Sequence, residues 1–129
     1  MQTNCIGPFM LCQALRKNII QSDHKAIVGI TSELGELDDC LTGEKLSYRL
    51  SKGAFNNLIY TMASDFKKSS NPVISLGIKP GWVKTDMTGS HAPQEPKETV
   101  AHMIELIDRA IYARESGKIF HYNEIPLLI

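Results

Sequence analysis

Two short apolar runs, Ala26-Ile-Val-Gly-Ile30 and Val73-Ile-Ser-Leu-Gly-Ile78, flank a long stretch of helical periodicity. Each run is too short for a helix and lacks the alternation of a half-buried strand, which predicts strands buried on both faces, the habit of parallel sheets. Parallel neighbours need a long crossover. The intervening stretch supplies one: from Ser47 to about Lys68 the apolar residues Phe55, Leu58, Ile59, Met62 and Phe66 recur at threes and fours. The chain is therefore an α/β protein.

The remaining segments extend this alternation. Residues 8–20 read as a helix, with Pro8 in its first turn and Phe9, Cys12, Leu15 and Ile19 on one face. Pro96 opens a third helix striped by Val100, Met103, Ile104, Ile107 and Ile111, and Lys118–Tyr122 reads as a last strand. Long polar connections fill 33–47, with an acidic cluster at Glu36, Asp38 and Asp39, and the stretch after Pro80-Gly81. The order is α-β-α-β-α-β in a single domain, for which right-handed crossovers are the default.

Composition narrows the partners. Fourteen Lys plus Arg balance fourteen Asp plus Glu in 129 residues, so nothing favours a nucleic acid. Cys5, Cys12 and Cys40 are odd in number and lack metal-ligand spacing, as do His24, His91, His102 and His121. We expect no metal site, and reduced, mostly core thiols in a cytoplasmic protein. No apolar run approaches the length of a membrane span.

Two residues break the stripe of the central helix. Stepping back from Phe66 through Met62, Ile59 and Phe55 lands on Lys52 and then Tyr48, so a phenol and an ammonium point inward from the first turn. That turn follows the carboxyl end of the first strand, where ligands sit in open α/β sheets. Ser32 opens at the same rim, and Pro80-Gly81 leaves the neighbouring strand there. A phenol ionises near pH 10, and an adjacent ammonium favours its phenolate, making Tyr48 a usable general acid or base. Ser32 can hold a carbonyl oxygen by hydrogen bond while the phenol delivers a proton to it. By itself a Tyr-x-x-x-Lys pair arises by chance in roughly one chain in five, with Lys52 snorkelling and Tyr48 covering a helix start.

Three motifs occur in order. They are Thr31-Ser32-Glu-Leu-Gly35, Tyr48-Arg-Leu-Ser-Lys52-Gly-Ala54-Phe-Asn56 and Pro80-Gly-Trp-Val-Lys-Thr85-Asp-Met87. Together they resemble the short-chain dehydrogenase/reductases, most closely the branch of sniffer-type carbonyl reductases and C-factor proteins. The resemblance implies a Rossmann-type sheet and an NADP- or NAD-dependent oxidoreductase reducing a small carbonyl or oxidising an alcohol. It implies that Tyr48 is the acid/base, that Lys52 lowers its pKa and binds the nicotinamide ribose, and that Ser32 orients the carbonyl. Asn4, in Thr3-Asn-Cys-Ile-Gly7, matches the fourth catalytic member, which serves a proton-relay water at a break in the helix. Pro80, Gly81, Val83 and Thr85, with Tyr48 and Lys52, would line the cofactor. Trp82 is as readily a partly exposed packing residue as a substrate contact.

The resemblance covers only the second half of that fold. The N-terminal Gly-rich βαβ unit has no counterpart here, so about a hundred residues that hold pyrophosphate and adenosine would have to come from elsewhere. Two expectations follow: the catalytic half of a carbonyl reductase, either a truncated piece of a longer product or one that works beside a separate N-terminal half, or a non-catalytic remnant that oligomerises through its first two helices and an open strand edge.

Overall fold

The computed structural model describes residues 1–37 and 43–124; Asp38, Asp39 and Cys40 lie outside them. The expected helix over 8–20 is instead broken into two pieces, with a π-helical turn before them. A π-helical turn, Gln2–Ile6, runs into α1 (Gly7–Ala14), and Leu15, at φ −91 and ψ 5, separates α1 from α2 (Arg16–Gln21). The spacing of apolar residues survives such breaks, because neither a π turn nor a single kinked residue erases the face they share. The rest follows as β1 (Ala26–Ile30), α3 (Leu46–Lys67), β2 (Ile74–Lys79), α4 (Pro96–Tyr112) and β3 (Lys118–His121).

The three strands form one parallel sheet in the order β1-β2-β3. Ala26 to Ile30 lie opposite Ile74 to Ile78, and Leu76 to Lys79 lie opposite Lys118 to His121. The two faces differ. Gly29 and Gly77, paired across the ladder, turn toward Phe55 and Ile59 of α3, while Leu76 and Ile78 pack with Leu106 and Ala110 of α4 and Phe120 of β3. Helix α3 shares its side with Cys12 of α1 and Ile19 and Ile20 of α2, which gather around Met62, Phe66 and Val73.

This arrangement corrects the expected handedness. The strands step in one direction, yet α3 and α4 cover opposite faces, so the crossovers β1-α3-β2 and β2-α4-β3 have opposite hands and one of them is left-handed. The right-handed rule reflects a twisted strand feeding directly into its helix. Here the connection 80–95 carries the chain over the carboxyl edge of the sheet before α4 begins.

Two burial expectations also change. Of β1 only Gly29 is fully buried, and Ile30 is 45% exposed, because β1 is an edge strand: among the described residues no strand pairs with its outer side. On α4, Val100 and Ile104 are 50% and 55% exposed, while Thr99, Leu106 and Ala110 form the buried line flanked by Met103 and Ile107. The small Ala110 lets the helix approach the sheet on that line, and the bulkier neighbouring stripe is rotated to solvent. No described helix is long and apolar enough to cross a membrane.

The glycine pair sets how closely α3 approaches. A Cβ at Gly29 would lie 2.8 Å from Phe55 Cζ, and one at Gly77 would lie 2.9 Å from Ile59 Cδ1. Removing both side chains brings α3 down onto the strands, which fixes its first turn against the carboxyl end of β1.

Candidate active site

Strand β1 ends at Ile30, and the chain turns at once. Ser32 is extended, its Oγ accepts the Leu34 amide at 3.2 Å, and a single 3₁₀ turn, Glu33–Gly35, follows. The bond uses the oxygen's lone pair and leaves the hydroxyl proton available to donate. Behind Ser32 a buried polar network fixes the turn to α3: Thr31 Oγ1 donates to Asn56 Oδ1, and Asn56 Nδ2 donates to the Gly35 carbonyl at 3.1 Å. Gly35 is required by this contact, since a Cβ there would lie 2.8 Å from the backbone carbon of Lys52.

Helix α3 starts after Lys45, whose backbone is left-handed at φ +56. Its first two turns carry Tyr48, Ser51 and Lys52. Tyr48 and Lys52 are half-buried, in keeping with their place on the apolar stripe. The Lys52 ammonium donates to the Ile30 carbonyl at 2.8 Å and lies 5.8 Å from the centre of the Tyr48 ring and 5.6 Å from that of Phe55. Burial of the ammonium holds its pKa below the usual lysine value. Asn4, in the π-helical turn, donates through Nδ2 to Ser51 Oγ at 3.0 Å, and Ser51 Oγ donates to the Tyr48 carbonyl at 2.8 Å. Asn4 is thus tied to the first turns of α3, and Lys52, near the Tyr48 ring, to the strand end that precedes Ser32.

The third segment, Pro80 to Thr85, leaves β2 beside this cluster. Lys79 Nζ binds Glu36 at 2.7 Å, joining the end of β2 to the residue after the 3₁₀ turn. Gly81 takes φ +74, and the Gln94 side chain lies where its Cβ would be, so only glycine fits. Gln94 fastens the segment: its backbone carbonyl accepts the Lys84 amide at 2.9 Å, and its Nε2 donates to Tyr122 Oη at 3.1 Å. Thr88 closes a local turn, its hydroxyl donating to the Val83 carbonyl and accepting the Thr85 amide, the latter at 3.0 Å. The Val83 carbonyl and Thr85 amide are therefore engaged within the loop. Trp82 is 54% exposed.

Sequence reasoning missed Gln94 and Thr88 as organisers of this loop, and Thr31 and Asn56 as the lock on the 3₁₀ turn. A polar residue after a Pro-Gly loop carries no local sign that its side chain folds back. Asn56 did carry one, being polar on a helix face that otherwise runs Phe55, Ile59, Met62. A concavity of about 740 Å³ lies against the 3₁₀ turn and its lock, lined by Leu34, Gly35, Leu50, Gly53 and Asn56, and another of about 700 Å³ lies at the amino ends of the strands near Lys25 and Gly117.

Comparison with known proteins agrees with this geometry. Residues 1–96 match the short chain dehydrogenase family. The chain is 30% identical over 125 residues to the C-signal of Myxococcus xanthus, spanning 95% of this chain and 74% of that protein. The carbonyl reductase Sniffer of D. melanogaster superposes with a TM-score of 0.85 at 27% identity, covering 99% of this chain and 55% of Sniffer. An NADPH-bound carbonyl reductase from chicken fatty liver gives 0.84 at 26% identity, covering 98% of this chain and 54% of that one. The chain thus spans about half the length of these solved structures, whose sheets are of Rossmann type.

Proposed function

Because the chain belongs to the short-chain dehydrogenase family, we propose that it carries the proton-handling half of a site that interconverts a small carbonyl compound and its alcohol, working when a further segment completes the cofactor cradle. The observation that carries this reading is the linked set Asn4–Ser51–Tyr48 and Lys52–Ile30, which gathers three of the four expected catalytic groups at the strand end leading to Ser32.

A nicotinamide cofactor, NADP or NAD, supplies or accepts the hydride when bound. Pro80, Gly81, Val83 and Thr85, on the loop that leaves the carboxyl end of β2, would hold its nicotinamide end together with Lys52 and Tyr48. The chain's own residues do the rest. The Ser32 hydroxyl, with its proton free, donates to the carbonyl oxygen and orients it. Tyr48 gives its phenolic proton to that oxygen as negative charge develops there, and the Lys52 ammonium stabilises the phenolate left behind. Asn4 steadies the turn that holds Tyr48 and marks the point where a proton returns from solvent. In the oxidative direction the same groups run in reverse.

The test uses the purified chain with NADPH and NADH and a reactive carbonyl such as a quinone or isatin, alone and with an N-terminal half supplied in trans. The expected result is turnover only in the completed assembly, falling about 10²- to 10⁴-fold in Tyr48→Phe. Turnover that ignores Tyr48→Phe, or none on completion, overturns the reading. A second reading, a non-catalytic assembly module, is favoured by one observation: Ile6, Phe9, Met10, Leu11 and Leu15 are all more than 40% exposed around α1.

A further inference from the structure

Arg49 follows Tyr48 on α3 and takes no part in the reaction proposed above. Its Nε donates to the Glu44 carbonyl at 3.0 Å, which is the guanidinium's one hydrogen bond among the described residues. No ion pair among the described residues includes Arg49, and its Nη1 is shut off from solvent without an acceptor. A buried donor left unpaired is costly, and more so when it carries charge. The group that relieves it best is a carboxylate, whose two oxygens match the planar fork of a guanidinium.

Arg49 also lines the concavity of about 740 Å³ against the 3₁₀ turn, a volume ordinary for a small-molecule site. The walls are mostly apolar, with Leu34, Leu46, Leu50 and Ile119 among them. Of the charged residues that line it, Glu36 is already joined to Lys79 at 2.7 Å, so Arg49 is the unbalanced charge among the described residues. One cation on an apolar wall selects a monoanion with an apolar body. Gly53 adds room for that body. Glycine inside a helix is destabilising relative to alanine, and a Cβ at Gly53 would meet only the Gly35 carbonyl, at 3.4 Å, so close packing does not demand it. The missing side chain widens the cavity instead.

We propose that this cavity binds a small apolar carboxylate, an aryl or acyl acid, with its carboxylate on the terminal nitrogens of Arg49 and its body between Leu34, Leu50 and Gly53. The site is separate from the reacting groups, since Ser32, Tyr48 and Lys52 do not line it, and the inference stands whether or not the proposed reaction does. A phosphate ester fits less well, because a dianion would leave one charge unmatched among leucines. An apolar face of a second copy also fits less well: it would bury Arg49 further and bring it no acceptor.

The experiment is an NMR titration of the isotope-labelled chain with 2-naphthoate. The expected result is saturable movement of the Leu34, Gly35, Leu50 and Gly53 amides and of the Arg49 side-chain nitrogens, while the Ser64 and Gly117 amides at the other concavity stay in place. Naphthalene-2-carboxamide, of the same shape without the charge, is expected to bind about tenfold more weakly or worse, and Arg49→Gln is expected to lose as much affinity for 2-naphthoate. Gly53→Leu, which puts a side chain into the cavity and leaves Arg49 in place, is expected to abolish the movement. Equal binding of acid and amide, or movement that never saturates, overturns the proposal. So does undiminished affinity in a folded Arg49→Gln or in Gly53→Leu, and the second variant decides if the first does not fold. Movement that grows with the chain's own concentration, without naphthoate, assigns the cavity to a second copy and overturns it as well.

Discussion

Lys52 donates to a backbone carbonyl from a half-buried position, and its proton is held less firmly than in an unfolded chain. The sign follows from the direction of the shift. Between the lowered folded value and the ordinary lysine value the unfolded state binds more protons, so stability rises with pH across that alkaline window. Thermal unfolding of the chain and of Lys52→Met across that window is expected to show the difference between them moving in favour of the lysine protein as pH rises. A flat difference removes Lys52 as the source. At this scale the sequence was unusually legible: Tyr48 and Lys52 were marked as polar groups on an apolar stripe, and their place beside β1 followed from counting helix turns. What could not be read was the acceptor, because a backbone carbonyl has no letter of its own.

Elements reveal where periodicity is ambiguous. On α4 the residues Val100, Ile104 and Ile111 share a plausible stripe with Met103 and Ile107, yet the helix buries the line through Leu106 and Ala110. Ile104→Glu is therefore expected to change stability by no more than about 0.5 kcal/mol, as at an ordinary surface position. Leu106→Ala, on the buried line, is expected to cost about 2–5 kcal/mol in denaturant unfolding. Equal costs at the two positions would place the helix on its other face. The approach of α3 gives a second check. Gly77→Ala forces a methyl to within 2.9 Å of Ile59 Cδ1, and the overpacking is expected to cost about 1–3 kcal/mol. The opposite hands of the two crossovers were hidden from the sequence for a related reason. Alternating apolar runs report that a helix covers a strand, and say nothing of which face it reaches after a long loop.

For the whole molecule, the first helical segments carry several exposed apolar residues close together in sequence. Phe9, Met10, Leu11 and Leu15 are 41%, 58%, 60% and 43% exposed, an apolar cluster of the kind that marks contact with another protein. Sedimentation is expected to show self-association of the chain that weakens in Leu11→Glu, since Leu11 is outside the catalytic set; a concentration-independent monomer in both would remove the assembly reading. The three ordered motifs were enough to identify the family, and the half of the fold they cover already implied an open edge on the strand before Ser32; that Gly29 alone of that strand would be fully buried was not legible.

The central position of β2 also bears on how the chain is made. Among the described residues β1 pairs only with β2, and α3 rests on Gly77 and Ser75 as much as on β1. During synthesis, then, nothing before Ile74 can complete its packing until that strand has left the ribosome. The groups proposed for catalysis, Asn4 through Lys52, are all synthesised before the strand that holds them in place, and the nascent chain spends that interval with its apolar helices uncovered.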